Sequence, residues 1–313
     1  MNFTCAMKAP SLLTLAASAV LITSASATVT IDWVTVGNAG NAAQSEGNRA
    51  HSFIEGDGFG AVGYEYQIGK YEVTNAQYGA FLNAKAATDS YGLYNSNMAS
   101  YGITQGGVDG SYTYSVTGGL ENRPVVYVSW FDAARFSNWM ANGQGNGDTE
   151  DGSYSLLGAT SGVFMVNTGA KAWIPTENEW YKAAYYNGGT STYSLFPNGQ
   201  DSVTEADATY RWSSDATDVG YGTSSSYGTF GQGGNVWEWN DAVTDRYGYW
   251  ERGTRGGSFN ERSNYMRSSE QYFQDPSYET TDYGFRLASA VPEPSSLVLT
   301  MLASGVVLTR RKR

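Results

Sequence analysis

The sequence predicts a single α+β domain rich in irregular structure. Three observations carry that prediction. Only two segments alternate apolar and polar residues as strands do; three short apolar stripes at helical spacing each follow a capping signature; and the connecting segments are long and full of Gly, Ser, Asn and Asp. No fixed-period repeat, charge run or low-complexity linker divides residues 28–288, so one domain accounts for them.

Taken in order, Thr28 to Val36 alternates Val29, Ile31 and Trp33 with polar residues, which predicts a half-buried strand. Gly63 to Glu72 predicts a second, with Tyr64, Tyr66 and Ile68 on one face. The three helix starts are Thr74 with Gln77, Ser129 with Asp132 and Thr176 with Glu179, each a hydroxyl residue followed three positions on by an amide or carboxylate. That spacing satisfies first-turn N–H groups that otherwise lack partners. The apolar stripes behind them are Tyr78, Phe81 and Leu82; Ala133, Phe136 and Met140; and Trp180, Ala183 and Ala184. Gly143 to Gly152, Gly188 to Thr192 and Asp215 to Tyr227 predict long surface loops, which in a compact domain tend to carry function or motion.

Both ends predict processing. Lys8, the apolar run Leu12 to Ile22 and the small-residue site Ala25-Ser26-Ala27 form a secretory signal peptide over residues 1–27, with the mature chain starting near Thr28. At the other end, residues 291–313 run from Val291-Pro292-Glu293-Pro294 through an apolar stretch to Arg310-Arg311-Lys312-Arg313. This order resembles the PEP-CTERM sorting tail of Gram-negative envelope proteins. The resemblance implies cutting by a membrane-embedded exosortase after a transient insertion, with the basic end left on the cytoplasmic side. The apolar stretch falls short of the ~20 residues that span a bilayer comfortably. The expected location is therefore the cell envelope or extracellular matrix.

The only cysteine, Cys5, lies within the signal peptide, so the mature domain has neither disulfide nor thiol chemistry. One histidine, His51, leaves no His-rich metal site, and its Gly-Asn-Arg-Ala surroundings predict a surface loop. The formal charge is −11; without Lys8, Glu293 and the four C-terminal cations, 14 basic and 29 acidic residues remain, a charge near −15. Such a domain repels nucleic acid phosphates and anionic membranes, and is compatible with calcium, cationic ligands or neutral glycans. The 24 tyrosines, 9 tryptophans and 38 glycines fit a loop-rich extracellular domain locked by aromatic contacts, or an aromatic glycan-binding surface.

Several motifs in order carry a family resemblance: Tyr71-Glu72-Val73-Thr74-Asn75, Arg123-Pro124-Val125-Val126-Tyr127, Pro175-Thr176-Glu177-Asn178-Glu179-Trp180, Gly234-Asn235-Val236-Trp237-Glu238-Trp239, Arg255-Gly256-Gly257-Ser258-Phe259 and Gly284-Phe285-Arg286-Leu287. Together they resemble the formylglycine-generating enzyme (sulfatase-modifying factor) family over most of residues 63–288. The resemblance implies that family's elaborated C-type-lectin-like fold for residues 28–290. In the catalytic members a redox-active cysteine follows the Gly-Gly-Ser-Phe segment and a second lies five positions on, and the pair binds copper(I). Here those positions hold Asn260 and Tyr265. An amide and a phenol cannot replace thiolates for soft copper(I), so no catalytic residue is assigned and formylglycine-generating oxidase chemistry is not expected. The iron-dependent sulfoxide synthases of the same family need several histidines, which this chain lacks.

Glycine-exposed carbonyls and the Glu238 carboxylate form an oxygen set suited to a hard cation. The family places calcium at positions that here are Gly231, Gly234, Val236 and Glu238, although Gly231 brings no side-chain ligand; a purely structural Glu238 is the alternative. Trp237 and Trp239 are expected in the core, and Arg255, Arg267 and Arg286 as planar forks tying loops together. The expected function is a non-catalytic, ligand-binding or matrix-associated module, with a pocket formed by Asn260, Glu261, Arg262 and Tyr265. Its partners would be extracellular polysaccharide or envelope proteins. The alternatives are another chemistry on the same fold, as a glycan-active hydrolase or cryptic oxidoreductase, or a purely structural matrix protein.

Overall fold

The computed structural model describes Met1, residues 28–44 and residues 58–292. The predicted signal peptide, the His51 segment and the tail beyond Pro292 lie outside the described residues. Among the described residues no helix is long and apolar enough to cross a membrane.

All three predicted helices form, and each opens on a two-way capping box: α1 (Asn75–Lys85), α2 (Trp130–Ala141) and α3 (Glu177–Tyr185). In α2 the Asp132 N–H donates to Ser129 Oγ at 3.1 Å, and the Ser129 N–H donates back to the Asp132 carboxylate at 2.8 Å. Thr176 and Glu179 repeat the arrangement at 3.1 and 2.8 Å. The apolar stripes face inward. Tyr78, Phe81 and Phe136 are fully buried, and Trp139 nearly so; Phe81 lies 5.2 Å from Trp139 and Phe136 5.4 Å from Phe285, ring to ring. The main core therefore sits between α1, α2 and the Phe285 segment.

The strands are β1 (Trp33–Val36), β2 (Tyr66–Gly69), β3 (Ile103–Gly106), β4 (Thr113–Val116), β5 (Tyr186–Asn187), β6 (Thr192–Tyr193), β7 (Trp237–Arg246), β8 (Tyr249–Arg255), β9 (Tyr272–Gln274), β10 (Tyr283–Gly284) and β11 (Ala288–Ala290). β2 is central in an antiparallel sheet ordered β1-β2-β11, which ties the two ends of the domain together. The second sheet runs β10-β7-β8-β9, with β10 parallel to β7 and the other pairs antiparallel. β3–β4 and β5–β6 are separate hairpins, and the predicted Gly188 to Thr192 loop is the turn of the latter.

Two features differ from the sequence expectation. Tyr64 does not join Tyr66 and Ile68 in the core: the β1–β2 ladder begins at Tyr66, so Tyr64 stays 51% exposed and donates its hydroxyl to Glu179 at 2.9 Å. The long β7–β8 hairpin escaped detection because Trp237, Glu238, Trp239 and Asn240 are all buried, so the segment shows no two-residue alternation.

Candidate functional site

The core behind the site is ionic. Glu238, at the start of β7, is fully buried; Arg286 donates Nε to its Oε2 and Nη2 to its Oε1, both at 2.6 Å, and Trp180 adds its indole N–H at 2.7 Å. The same guanidinium donates to the carbonyls of Gly69 at 2.9 Å and Phe230 at 2.7 Å, so one planar cation joins the β2 end, a loop and β7. Glu72 lies beside them with its Oε2 3.9 Å from Arg286 Nη2. Burial holds the Glu72 carboxyl well above the usual carboxylate range, with Arg286 pulling it down and Glu238 pushing it up. Asn235, in the left-handed region at φ 60°, donates to Glu72 Oε1 at 2.9 Å and accepts from the Thr217 N–H at 2.9 Å. Arg255 makes a second staple, paired with Glu177 and bound to the carbonyls of Ser268 and Glu270.

This arrangement does not fit a calcium ion at Gly234, Val236 and Glu238. Both Glu238 oxygens already accept from a cation, and a divalent ion bound to them would sit against that guanidinium. At Gly231, where the family pattern wants a side-chain ligand, an added Cβ would lie 2.1 Å from Glu72 Oε1, so the Glu72 carboxylate fills the space. Among the described residues no group of three or more His, Cys, Asp or Glu is arranged to hold a metal. Copper(I) does not fit Asn260 and Tyr265 either, since neither side chain offers sulfur.

The strand end at Arg255 and the glycines after it carry the chain to the surface. Gly256 and Gly257 have φ of 99° and 71°, and Tyr265 backs so closely on Gly257 that a Cβ there would meet its Cβ at 3.1 Å. Phe259 turns inward onto Val126, Ala216 and Val236, with Tyr101 and Tyr127 packed over them and their rings 5.4 Å apart. Beyond this floor, Ser258 donates its hydroxyl to Asp282 at 2.8 Å, and the nearby Asn260 amide lowers the same carboxyl. Burial raises the Asp282 carboxyl, and burial together with Asp282 raises that of Glu261.

The four predicted pocket residues border one face without converging on one point. Asn260 and Glu261 are electrostatically linked to Asp282; Arg262 lays its guanidinium over the Trp212 ring at 5.1 Å; Tyr265 packs its ring 6.1 Å from Trp237 and 5.5 Å from Tyr272. Sequence reasoning missed Asp282, Tyr127 and Trp212. Tyr127 and Trp212 both have φ of 58°, a conformation bulky side chains rarely adopt, and Trp212 is 62% exposed. The assembled surface is thus acidic and aromatic, able to accept hydrogen bonds and stack on a ligand, with no nucleophile–base pair.

A loop-rich α+β domain with a capped-helix core, a β1-β2-β11 closure and a Glu–Arg frame beneath a Gly-Gly-Ser-Phe turn defines the class: the formylglycine-generating type of C-type-lectin-like fold. The chain belongs to the sulfatase-modifying factor enzyme 1-like domain family, whose model matches residues 38–291. Solved structures of similar fold include CarF, with 21% identity, a TM-score of 0.56 and coverage of 84% of this chain and 99% of that one. Treponema denticola variable protein 1 is 21% identical with a TM-score of 0.55, covering 86% and 98%. PvdO from Pseudomonas aeruginosa is 16% identical with a TM-score of 0.50, covering 83% and 92%. These likenesses concern the fold alone. The serine/threonine-protein kinase pkn1 of Chlamydia caviae is 25% identical over 192 residues, 55% of this chain; the chain spans only 25% of that protein's length.

Proposed function

We propose that this family member is a non-catalytic binding module of the cell envelope or extracellular matrix, whose ligand surface is the face bordered by Asn260, Glu261, Arg262 and Tyr265 and completed by Asp282, Tyr127 and Trp212. The observation that carries the reading is the fate of the two positions where catalytic relatives hold cysteines. Asn260 stands near the Asp282 carboxyl, which it lowers, and Tyr265 packs its ring against Trp237 and Tyr272, so a polar and an aromatic side chain replace the thiols. Tyrosine and tryptophan supply large, stiff contact area at low entropic cost, which suits recognition. Secretion and envelope sorting rest on the signal-like start and the Pro-Glu-Pro tail of the sequence, with an exosortase-type enzyme as the processing partner. Extracellular polysaccharide or envelope proteins are the ligand classes compatible with a net charge of −11.

The test is incubation of the mature protein with copper, oxygen and a cysteine-bearing sulfatase peptide, read by mass spectrometry. The peptide mass is expected to stay unchanged; conversion to formylglycine would overturn the reading.

A second reading follows from two partly buried acidic residues on this face, Glu261 and Asp282, whose carboxyls burial raises, with Asp282 raising Glu261 further, as a glycan hydrolase's acid would need. Reducing-sugar release from envelope polysaccharide, abolished by Glu261→Gln with the melting temperature unchanged, would favour it over simple binding.

A further inference from the structure

The β7–β8 hairpin projects beyond the core, and its tip is built against folding convenience. Its turn, Arg246-Tyr247-Gly248-Tyr249, has positive φ at both central residues, 58° at Tyr247 and 87° at Gly248. This is the mirror-image turn that matches strand twist and favours Asn or Gly at its first central position. Tyr247 occupies that position and is 95% exposed, so no packing offsets the conformation. The turn is nevertheless fixed, because the Gly248 N–H donates to the Asp245 carboxylate at 2.6 Å. Tyr249 and Trp250 follow at 75% and 50% exposure. Three neighbouring exposed aromatics on a rigid turn mark a contact surface rather than a folding requirement.

One side of this hairpin, with β9, encloses an open recess of about 620 Å³. That lies within the range of small-molecule sites, about 300–1,000 Å³. Ladder pairing places Thr244 opposite Glu251 and Arg246 opposite Tyr249, and Phe273 of β9 opposite Gly253, one strand over. Tyr247 and Phe273 supply aromatic walls, while Thr244, Arg246 and Glu251 supply polar groups. Glu251 lines the recess with its Oε2 shut from solvent, which leaves Oε1 as the oxygen a ligand can reach.

We propose that the recess between the β7–β8 hairpin and β9 is a binding subsite for a neutral saccharide, with Tyr247 stacking on a sugar ring and Glu251 accepting from its hydroxyls. The chemistry of the lining selects this class. Arg246 stands among Asp245 and Glu251, giving planar donors and acceptors of both signs instead of a focused charge for an ion. Hydroxyl groups both donate and accept, and aromatic walls match the apolar faces of sugar rings. The inference does not depend on the Asn260 surface, with which the recess shares no residue, although its Tyr272 packs on Tyr265.

Isothermal titration of the mature protein with neutral glucan, mannan and galactan oligosaccharides, and with spermine as a cationic probe, tests it. Tyr247→Ala and Glu251→Gln are the variants. The exposed tyrosine is dispensable for folding, so loss of binding in Tyr247→Ala reads contact. At least one oligosaccharide is expected to bind saturably and to bind about tenfold more weakly in each variant. The proposal is overturned if no oligosaccharide binds or if spermine alone binds. It is equally overturned if both variants bind as the parent does, or if Trp212→Ala abolishes binding that Tyr247→Ala retains, which would move the saccharide to the Asn260 surface.

Discussion

At the residue scale, one buried cation does the work that an inorganic ion would otherwise be asked to do. Arg286 saturates Glu238 and reaches three backbone carbonyls besides, so Glu238→Gln removes its hydrogen-bonded counter-charge and leaves a fully buried guanidinium with only the Glu72 carboxyl, 3.9 Å away. A loss of about 3–5 kcal/mol in urea unfolding is expected, the cost of breaking a buried pair from one side. The companion expectation is that neither calcium nor a chelator moves the melting temperature, read by scanning calorimetry; a rise with calcium would show that Glu238 can leave Arg286. Burial also pushes the carboxyls of Asp132 and Asp241 up to about 7. In the unfolded chain such groups ionise near pH 4, so between about pH 4 and 7 the native state holds protons that the unfolded state has released. Their contribution is full below that window and is lost as pH rises through it. The melting temperature is therefore expected to fall from pH 5 to pH 8, and Asp241→Asn to flatten the decline; a rise across the window would contradict the burial. Only the Arg286 fork, a structural Glu238 as the alternative to calcium, and the Ser129–Asp132 cap were legible in the sequence. Glu72 meets Gly231, and Asp282 comes near Asn260, only because loop segments distant in sequence are folded together, and a single sequence carries no periodic trace of such contacts.

At the element scale, the helices were legible because their signals are local. A hydroxyl and an amide or carboxylate three residues apart need only one turn of backbone to find each other, and all three boxes form. Replacing Thr74, Ser129 or Thr176 by alanine is expected to cost about 1 kcal/mol each in chemical denaturation. The second sheet was illegible for the opposite reason: β7 is buried on both faces where it matters and β10 is two residues long. The hairpin tip offers a test in the stabilising direction. Tyr247→Gly relieves a left-handed tyrosine and is expected to raise stability by about 1 kcal/mol in the same denaturation series, despite removing a large side chain. A loss of stability would mean that Tyr247 is held by packing, and would remove the reason for reading it as a contact residue.

At the scale of the whole molecule, the family's frame persists while Asn260 and Tyr265 stand at its cysteine positions. Motif order revealed the family because Gly-Asn-Val-Trp-Glu-Trp and Gly-Phe-Arg-Leu encode the internal staple, which any function built on this fold must keep. The proposed binding face was only half legible: Asn260, Glu261, Arg262 and Tyr265 were singled out through the missing cysteines, whereas Tyr127 and Trp212 adopt left-handed conformations that no motif announced. The most direct test of a binding role is a saturation isotherm of envelope and exopolymer polysaccharide fractions on the mature protein, compared with Trp212→Ala and Asp282→Asn. The account predicts saturable binding that weakens about tenfold in each variant while the melting temperature of Trp212→Ala stays unchanged. Absence of saturable binding, or binding indifferent to both substitutions, would contradict it.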